Sequence, residues 1–153
     1  MPIDVREATA DDGDDLALLR FRWHAERHPA DRYDIDDYRL GFARWWSAQG
    51  GRFHAVVAAD GTEIIDMGFL ALVERVPVPG ELDRHHGDVQ SMYVVPEHRG
   101  GGVGSAILRA LVDLAREAGC GRVEVHSGRR AVAFYERAGF EHLHQLMNLG
   151  LGE

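Results

Sequence analysis

The chain contains no lysine: all 17 of its Lys/Arg positions are arginine. Against 25 acidic residues they leave a formal net charge of −8. A surface of that sign repels nucleic acid unless arginines gather in one patch, and the sequence has no basic stripe, so no nucleic-acid partner is expected. The missing lysine also excludes a P-loop, which needs Lys-Ser or Lys-Thr after its last glycine. A single cysteine, Cys120, rules out an internal disulfide and a thiol metal cluster, and it fits a reducing compartment. No apolar run approaches the roughly 18 residues of a membrane span. The first residues, Met1-Pro2-Ile3-Asp4-Val5-Arg6, turn polar and acidic at once, unlike a signal peptide. A cytoplasmic protein with no membrane association is therefore expected.

What is present is ordinary globular material: 153 residues, 45% hydrophobic and 27% charged. Without repeats, low-complexity segments or linkers, residues 1–153 read as one mixed α/β domain. Ile3 to Ala8 alternates as a half-buried strand does. Thr9 can cap a helix with Asp11 and Asp12 in its first turn and Leu16, Leu19 and Trp23 on one face, closed by Pro29. A second helix is expected from Asp34 or Asp36 to Gln49, with Tyr38, Phe42, Trp45 and Trp46 sharing a face and Gly50-Gly51 as the stop. Phe53 to Ala59, Asp60-Gly61 and Glu63 to Glu74 read as a hairpin. Val76 to Gly87 reads as a loop, and Asp88 to Val95 as the next strand, cut by Pro96. A long amphipathic helix follows, with Val103, Ile107, Leu111 and Leu114 on its apolar face and Gly119 at its end. Arg122 to His126 reads as a short strand and Arg129 to Ala138 as a short helix. Phe140 to Leu151 should supply one or two closing strands, giving the order β-α-α-β-β-β-α-β-α-β(-β).

The chemistry concentrates in Met92-Tyr93-Val94-Val95-Pro96-Glu97-His98-Arg99-Gly100-Gly101-Gly102-Val103-Gly104, where a strand runs through a glycine-rich turn into a helix. The first turn of a helix leaves backbone N–H groups unpaired, and its dipole adds positive partial charge, so an anion such as a pyrophosphate suits the position. Glycine lets the backbone approach the phosphate oxygens closely. Arg99 either adds a charged contact to the anion or braces the turn. The dinucleotide fingerprint Gly-x-Gly-x-x-Gly fails in both registers, at Ser105 and at Ile107.

In these residues the sequence resembles the GNAT superfamily of acyl-CoA-dependent N-acyltransferases. The family signature of Arg or Gln, two residues, Gly, any residue, then Gly or Ala is matched by Arg99, Gly102 and Gly104. A second segment, Ala131-Val132-Ala133-Phe134-Tyr135-Glu136-Arg137-Ala138-Gly139-Phe140, is similar to the family's Ala-x-x-Phe-Tyr-x-x-x-Gly-Phe. The strong match covers about residues 88–142. The resemblance implies a mixed, mostly antiparallel central sheet flanked by helices, with acetyl-CoA as cosubstrate. His24 with His28 and His142 with His144 have metal-pair spacing but no evident third ligand, so no metal is expected. It implies that the strand backbone of Met92, Tyr93 and Val94 pairs with the pantetheine arm, and that Arg99, Gly100, Gly101, Gly102, Val103 and Gly104 hold the pyrophosphate. Many members carry Asn where this chain has Gly128, and Ser127 is the nearby hydroxyl that can substitute. Homodimerisation is implied by family habit.

Acetyl transfer to an amine needs a neutral nucleophile and a proton for the leaving thiolate. Tyr135 matches the family's usual thiolate acid; its competing role is a packed aromatic beside Phe134. Alternation along the strand sets Asp88, Gln90 and Met92 on one face. In relatives a carboxylate or histidine at the places of Asp88 or Gln90 takes the amine proton, which makes Asp88 the candidate base. The competing reading is a solvated strand-end carboxylate. His126 is a weaker candidate, His85-His86 in the loop either line the acceptor entrance or are simply exposed, and Cys120 is expected away from the cleft. Tyr38, Trp45 and Trp46 are either core or an aromatic wall for the acceptor. The expected activity is acetyl transfer to a primary amine of a small molecule, peptide or protein. The competing class is a non-catalytic acyl-CoA sensor on the same fold.

Overall fold

The computed structural model describes residues 2–152. β1 (Ile3–Glu7) leads through a 3-10 turn (Ala10–Asp12) into α1 (Gly13–Arg27) and α2 (Ile35–Ser47). Then come β2 (Phe53–Asp60), β3 (Glu63–Glu74), β4 (His85–Val94), a 3-10 turn (Pro96–His98), α3 (Val103–Glu117), β5 (Val123–Val125), a 3-10 turn (Arg129–Ala131) and α4 (Val132–Arg137). The sheet runs in order β1-β2-β3-β4-β5, antiparallel except for the parallel β4–β5 pair. α3 covers one face with Ile107, Leu108, Leu111 and Ala115. α1 and α2 lie on the other, where Phe42, Trp45 and Trp46 meet Phe69 of β3. Among the described residues no helix is long and apolar enough to cross a membrane.

The expected fold class and the order of the first nine elements hold, with local differences. The carboxylate of Asp12 turns back to the Thr9 N–H at 2.7 Å and to the Arg6 guanidinium at 2.8 Å, so the chain makes a tight 3-10 turn and α1 begins at Gly13. α2 starts where its cap dictates, the Asp34 carboxylate accepting from the Asp37 N–H at 2.9 Å. β4 begins three residues before Asp88, because His85, His86 and Gly87 pair with Glu74, Val73 and Leu72 of the long β3. The two histidines are thus half-buried strand residues and not exposed loop. The closing strands are absent: no strand forms in 140–152, and every side chain in 141–152 is exposed. β5 offers a ladder of only three residues, and Gly139, at φ 97°, turns the chain off the end of α4.

Candidate active site between β4, β5 and the head of α3

β4 and β5 pair only from Gly87–Val123 to Val89–Val125. Beyond Val89, β4 continues to Val94 with no strand on its β5 side. At the point of divergence β4 is bulged. The pairing jumps from Met67–Tyr93 to Phe69–Gln90, so Ser91 and Met92 oppose the single residue Gly68, and Ser91 takes a left-handed φ of 52°. The bulge breaks the alternation expected from sequence. Met92 does not share the face of Asp88 and Gln90; its sulfur lies over Gly68 on the α3 side, beside Ile107 and Leu111. Tyr93 is thereby sent to the other face, where it stacks on Trp23 of α1 at 5.6 Å.

The glycine turn follows. Gly100 and Gly102 have φ of 86° and 83°, values that L side chains rarely adopt, and a Cβ at either would meet nothing within 4 Å. Gly102 is the N-cap of α3, no side chain caps it, and no acidic residue lies in the first turn. The first N–H groups of α3 therefore point outward without an intrahelical partner. Gly104 has a separate use. A Cβ there would touch Val94 at 3.4 Å and Phe134 at 3.5 Å, so this glycine lets the head of α3 lie directly against β4 and α4. The two sequence motifs meet at that contact.

Of the two roles open to Arg99, the structure shows the brace. Its Nε donates to the Val94 carbonyl at 2.8 Å, its guanidinium stands 5.8 Å from the Tyr93 ring, and Glu26 lies 3.8 Å away. Glu26 also accepts from the Tyr93 hydroxyl at 2.5 Å. Burial, and then this carboxylate, push the Tyr93 hydroxyl up to about 12. The Tyr93 side chain is thus a structural anchor, which leaves only its backbone for a ligand. Arg22 extends the network, reaching Glu97 at 2.9 Å and Glu26 at 3.5 Å. Beneath the turn Asp66 is fully buried and accepts from the Val95 N–H at 2.8 Å. Burial raises its carboxyl above the usual range, and its second oxygen and His98 Nδ1 find no partner among the described residues. Asp66 was not singled out from sequence, although an acid inside the apolar run Ile64–Val73 is itself a signal.

Tyr135 is 7% exposed and packs edge-on between Phe134, at 5.0 Å, and Phe140, at 5.4 Å. The Gly139-Phe140 pair of the second motif fixes it. The Gly139 N–H donates to the Glu136 carbonyl and the Phe140 N–H to the Tyr135 carbonyl, both at 3.0 Å, which closes α4 as a Schellman cap. Burial raises the Tyr135 hydroxyl above its ordinary value, and the hydroxyl makes no hydrogen bond among the described residues. Tyr135 and Ser127 line a cavity of about 960 Å³ beside β5, together with Val112, Val125, Val132 and Cys120. The cavity includes neither the glycine turn nor Asp88. The Ser127 hydroxyl is taken up by the Gly128 carbonyl at 2.8 Å. Cys120 is closer to Tyr135 than expected, and burial pushes its thiol up, away from the thiolate form.

Asp88 is half-buried and accepts from the Gln90 side-chain amide at 2.8 Å. No hydrogen bond joins it to Tyr135. His85 is tied to the Ala118 carbonyl at 2.6 Å on the α3 face, and His126 is exposed. The α2 aromatics divide. Trp46 packs inward against Phe69, at 5.9 Å, while Trp45 is 38% exposed and meets Phe53 at 4.9 Å.

The model of the Acetyltransferase (GNAT) family matches residues 17–140. A glucosamine 6-phosphate N-acetyltransferase of Trypanosoma brucei brucei is 34% identical over 65 residues, which cover 42% of this chain and 44% of that protein. An uncharacterized N-acetyltransferase of Methanocaldococcus jannaschii is 26% identical over 148 residues, covering 90% of this chain and 60% of that one. The matches thus span only about half the length of these curated relatives. A crystal structure of a predicted acetyltransferase with acetyl-CoA from Clostridium acetobutylicum superposes with a TM-score of 0.81 at 20% identity, over 98% of this chain and 97% of that one, and so shares the fold. The matched stretch runs from α1 to Phe140 and takes in both the glycine turn and the Phe134-Tyr135 segment, and the chain belongs to the acetyltransferase (GNAT) family.

Proposed function

We propose that the protein transfers an acetyl group from acetyl-CoA to a primary amine by direct attack, with no acyl-enzyme. One juxtaposition carries the reading: the free edge of β4 beyond Val89 leads straight into the uncapped, glycine-built head of α3. Free strand N–H and C=O groups suit the amides of a pantetheine arm, and the outward N–H groups of Val103, Gly104 and Ser105 suit a pyrophosphate. In this reading the backbone of Met92, Tyr93 and Val94 and the turn from Arg99 to Gly104 hold the donor. Arg99 acts by fixing the turn through the Val94 carbonyl. Ser127 is the weakest member of the donor set, its hydroxyl being satisfied by Gly128.

Asp88 takes a proton from the incoming ammonium and leaves a neutral amine. The nitrogen lone pair forms the new C–N bond at the thioester carbonyl, and the C–S bond breaks. Tyr135 gives its proton to the departing sulfur and is reprotonated by the nitrogen's second proton through solvent. The sum is one amide, one thiol and one released proton. Burial keeps Tyr135 protonated across the neutral range, as an acid must be.

The test is release of coenzyme A thiol from acetyl-CoA over a panel of amines, beside a calorimetric titration with coenzyme A. Saturable, amine-dependent release is expected. Asp88→Asn should lower kcat by about 100-fold with KM for acetyl-CoA little changed, while wild-type turnover would remove Asp88 from the role. Tight coenzyme A binding with no turnover on any amine would overturn the reading in favour of an acyl-CoA sensor.

A further inference from the structure

One peptide group joins the end of β4 to the glycine turn, and both of its polar atoms are held by side chains of opposite charge. The Val94 carbonyl accepts from Arg99 Nε at 2.8 Å, and the Val95 N–H donates to Asp66 Oδ1 at 2.8 Å. The Val95 carbonyl then accepts from the His98 N–H at 2.9 Å and closes the 3-10 turn that leads to Arg99. Val95 thus leaves the sheet held by Asp66 on one side and by the turn on the other. A neutral acceptor would satisfy the same N–H, so the carboxylate charge at this position needs a separate account.

Asp66 stands on the α3 side of the sheet. Alternation along β3 puts it on the face of Gly68, which looks onto Ile107 and Leu111. It pairs with Val94, the residue against which Gly104 seats the head of α3. Neighbouring strands lie about 5 Å apart, so the carboxyl is within about 10 Å of the first N–H groups of α3. The side chain is 0% exposed, and Oδ2 has no partner among the described residues.

Few charges surround this carboxyl. Burial acts on it most strongly and raises it; the Val95 N–H, His98 and Arg99 favour the ionised form, and Glu97 opposes it. The residues paired with Asp66 on β2 and β4 are Ala58 and Val94, and the first turn of α3, from Val103 to Ala106, carries no charged side chain. An ionised Asp66 therefore shares the head of α3 with whatever anion binds there. Two like charges about 10 Å apart in a protein oppose each other by about tenfold in an equilibrium constant.

We propose that Asp66 is a positioning residue for the donor turn, acting through the Val94–Val95 peptide, and that arrival of the acetyl-CoA diphosphate draws a proton onto its free oxygen. The inference rests on the transferase reading only through the donor site. Neutralisation leaves the turn held, since Oδ1 still accepts from Val95 and the proton, taken from solvent, sits on Oδ2. Donor affinity should rise as pH falls through the titration of Asp66. The chemical step uses other groups and is not tied to it.

The experiment titrates coenzyme A calorimetrically into the full chain from about pH 5 to 8, in pairs of buffers of different ionisation enthalpy, which counts the protons taken up. Wild type should take up more protons than Asp66→Asn, which keeps the acceptor for Val95 and carries no charge. Asp66→Asn should bind coenzyme A about tenfold tighter than wild type at the alkaline end, and the two should converge at the acid end. Asp66→Leu, which removes the acceptor, should raise Kd and KM for the donor about tenfold at every pH with kcat within about twofold. A residue needed only for folding would not send its two variants in opposite directions. Circular dichroism shows whether Asp66→Leu folds, and wild type against Asp66→Asn decides the matter without it. Equal proton uptake with parallel Kd profiles would overturn the inference and leave the transferase standing. No coenzyme A binding by wild type would overturn the donor site and the inference together.

Discussion

Replacing Gly68 with alanine puts a Cβ where three side chains already sit. The new atom would overlap Met92 Sδ and come within 2.9 Å of both Ile107 Cγ2 and Leu111 Cδ1. Met92 is half-buried and can swing away. Ile107 and Leu111 are 0% exposed and belong to the face that seats α3 on the sheet, so they yield only if the helix moves. Overpacking of this kind costs about 1–3 kcal/mol, which in a domain of this size lowers Tm by roughly 2–12 °C. The displaced helix is the one whose head forms the proposed pyrophosphate site, and Met92 belongs to the bulge that frees the β4 edge. KM for acetyl-CoA should therefore rise by about tenfold or more while KM for the amine changes less. Differential scanning calorimetry and initial rates with each substrate varied in turn measure both effects. A variant with wild-type Tm and wild-type KM for acetyl-CoA would refute the claim that the β4 bulge and α3 are locked through Gly68.

Two further outcomes follow from buried hydroxyls. Tyr135→Phe keeps the aromatic packing with Phe134 and Phe140, so it should leave Tm within about 2 °C of wild type and lower kcat by about 100-fold. Because the protonated form is the active acid and burial raises its pKa, the wild-type alkaline limb should lie above the ordinary tyrosine range and disappear in the variant. Tyr93 has a folded value of about 12 against an ordinary 10, so the unfolded chain loses this proton first as pH rises. The associated stability is whole below pH 10 and is lost between about pH 10 and 12, by about 2–3 kcal/mol. Urea melts of Tyr93→Phe across that window should show a shallower decline than wild type. Parallel declines would assign the alkaline loss to other groups.

The glycine turn and the cap of α4 were legible because they are local. A strand, a glycine turn, a helix head and a Tyr-x-x-x-Gly-Phe cap are each written in consecutive residues, and the physics of helix ends reads them directly. Long-range packing was not legible. The glycine-rich composition gave no reason to prefer Gly68 over its neighbours, yet Gly68 lies opposite the bulge and leaves the space that Met92 fills. Arg99 was open between ligand and brace because its partner, Glu26, lies on α1 and nothing in the local pattern pairs the two. The closing strands failed for a related reason. The apolar residues of 143–151 suit a strand, but strand formation needs an edge long enough to template it, and β5 supplies three residues.

Register across the sheet is a second thing that consecutive residues do not show. Phe53, Ala71, Asp88 and Glu124 come from four strands, and only the register brings them into one row. A shift of one residue in the β3–β4 pairing would place Val89, not Asp88, opposite Ala71 and turn a carboxylate end into an apolar one. The bulge at Ser91-Met92 sets two residues opposite Gly68, so Asp88 keeps its register with Ala71 before it and Tyr93 with Met67 after it. One irregularity thus sets which face each later residue takes: Asp88 and Gln90 before it share the face of α1 and α2, while Met92 turns to α3 and Tyr93 to Trp23. A substitution that alters the bulge should accordingly disturb the proposed acetyl-CoA site first.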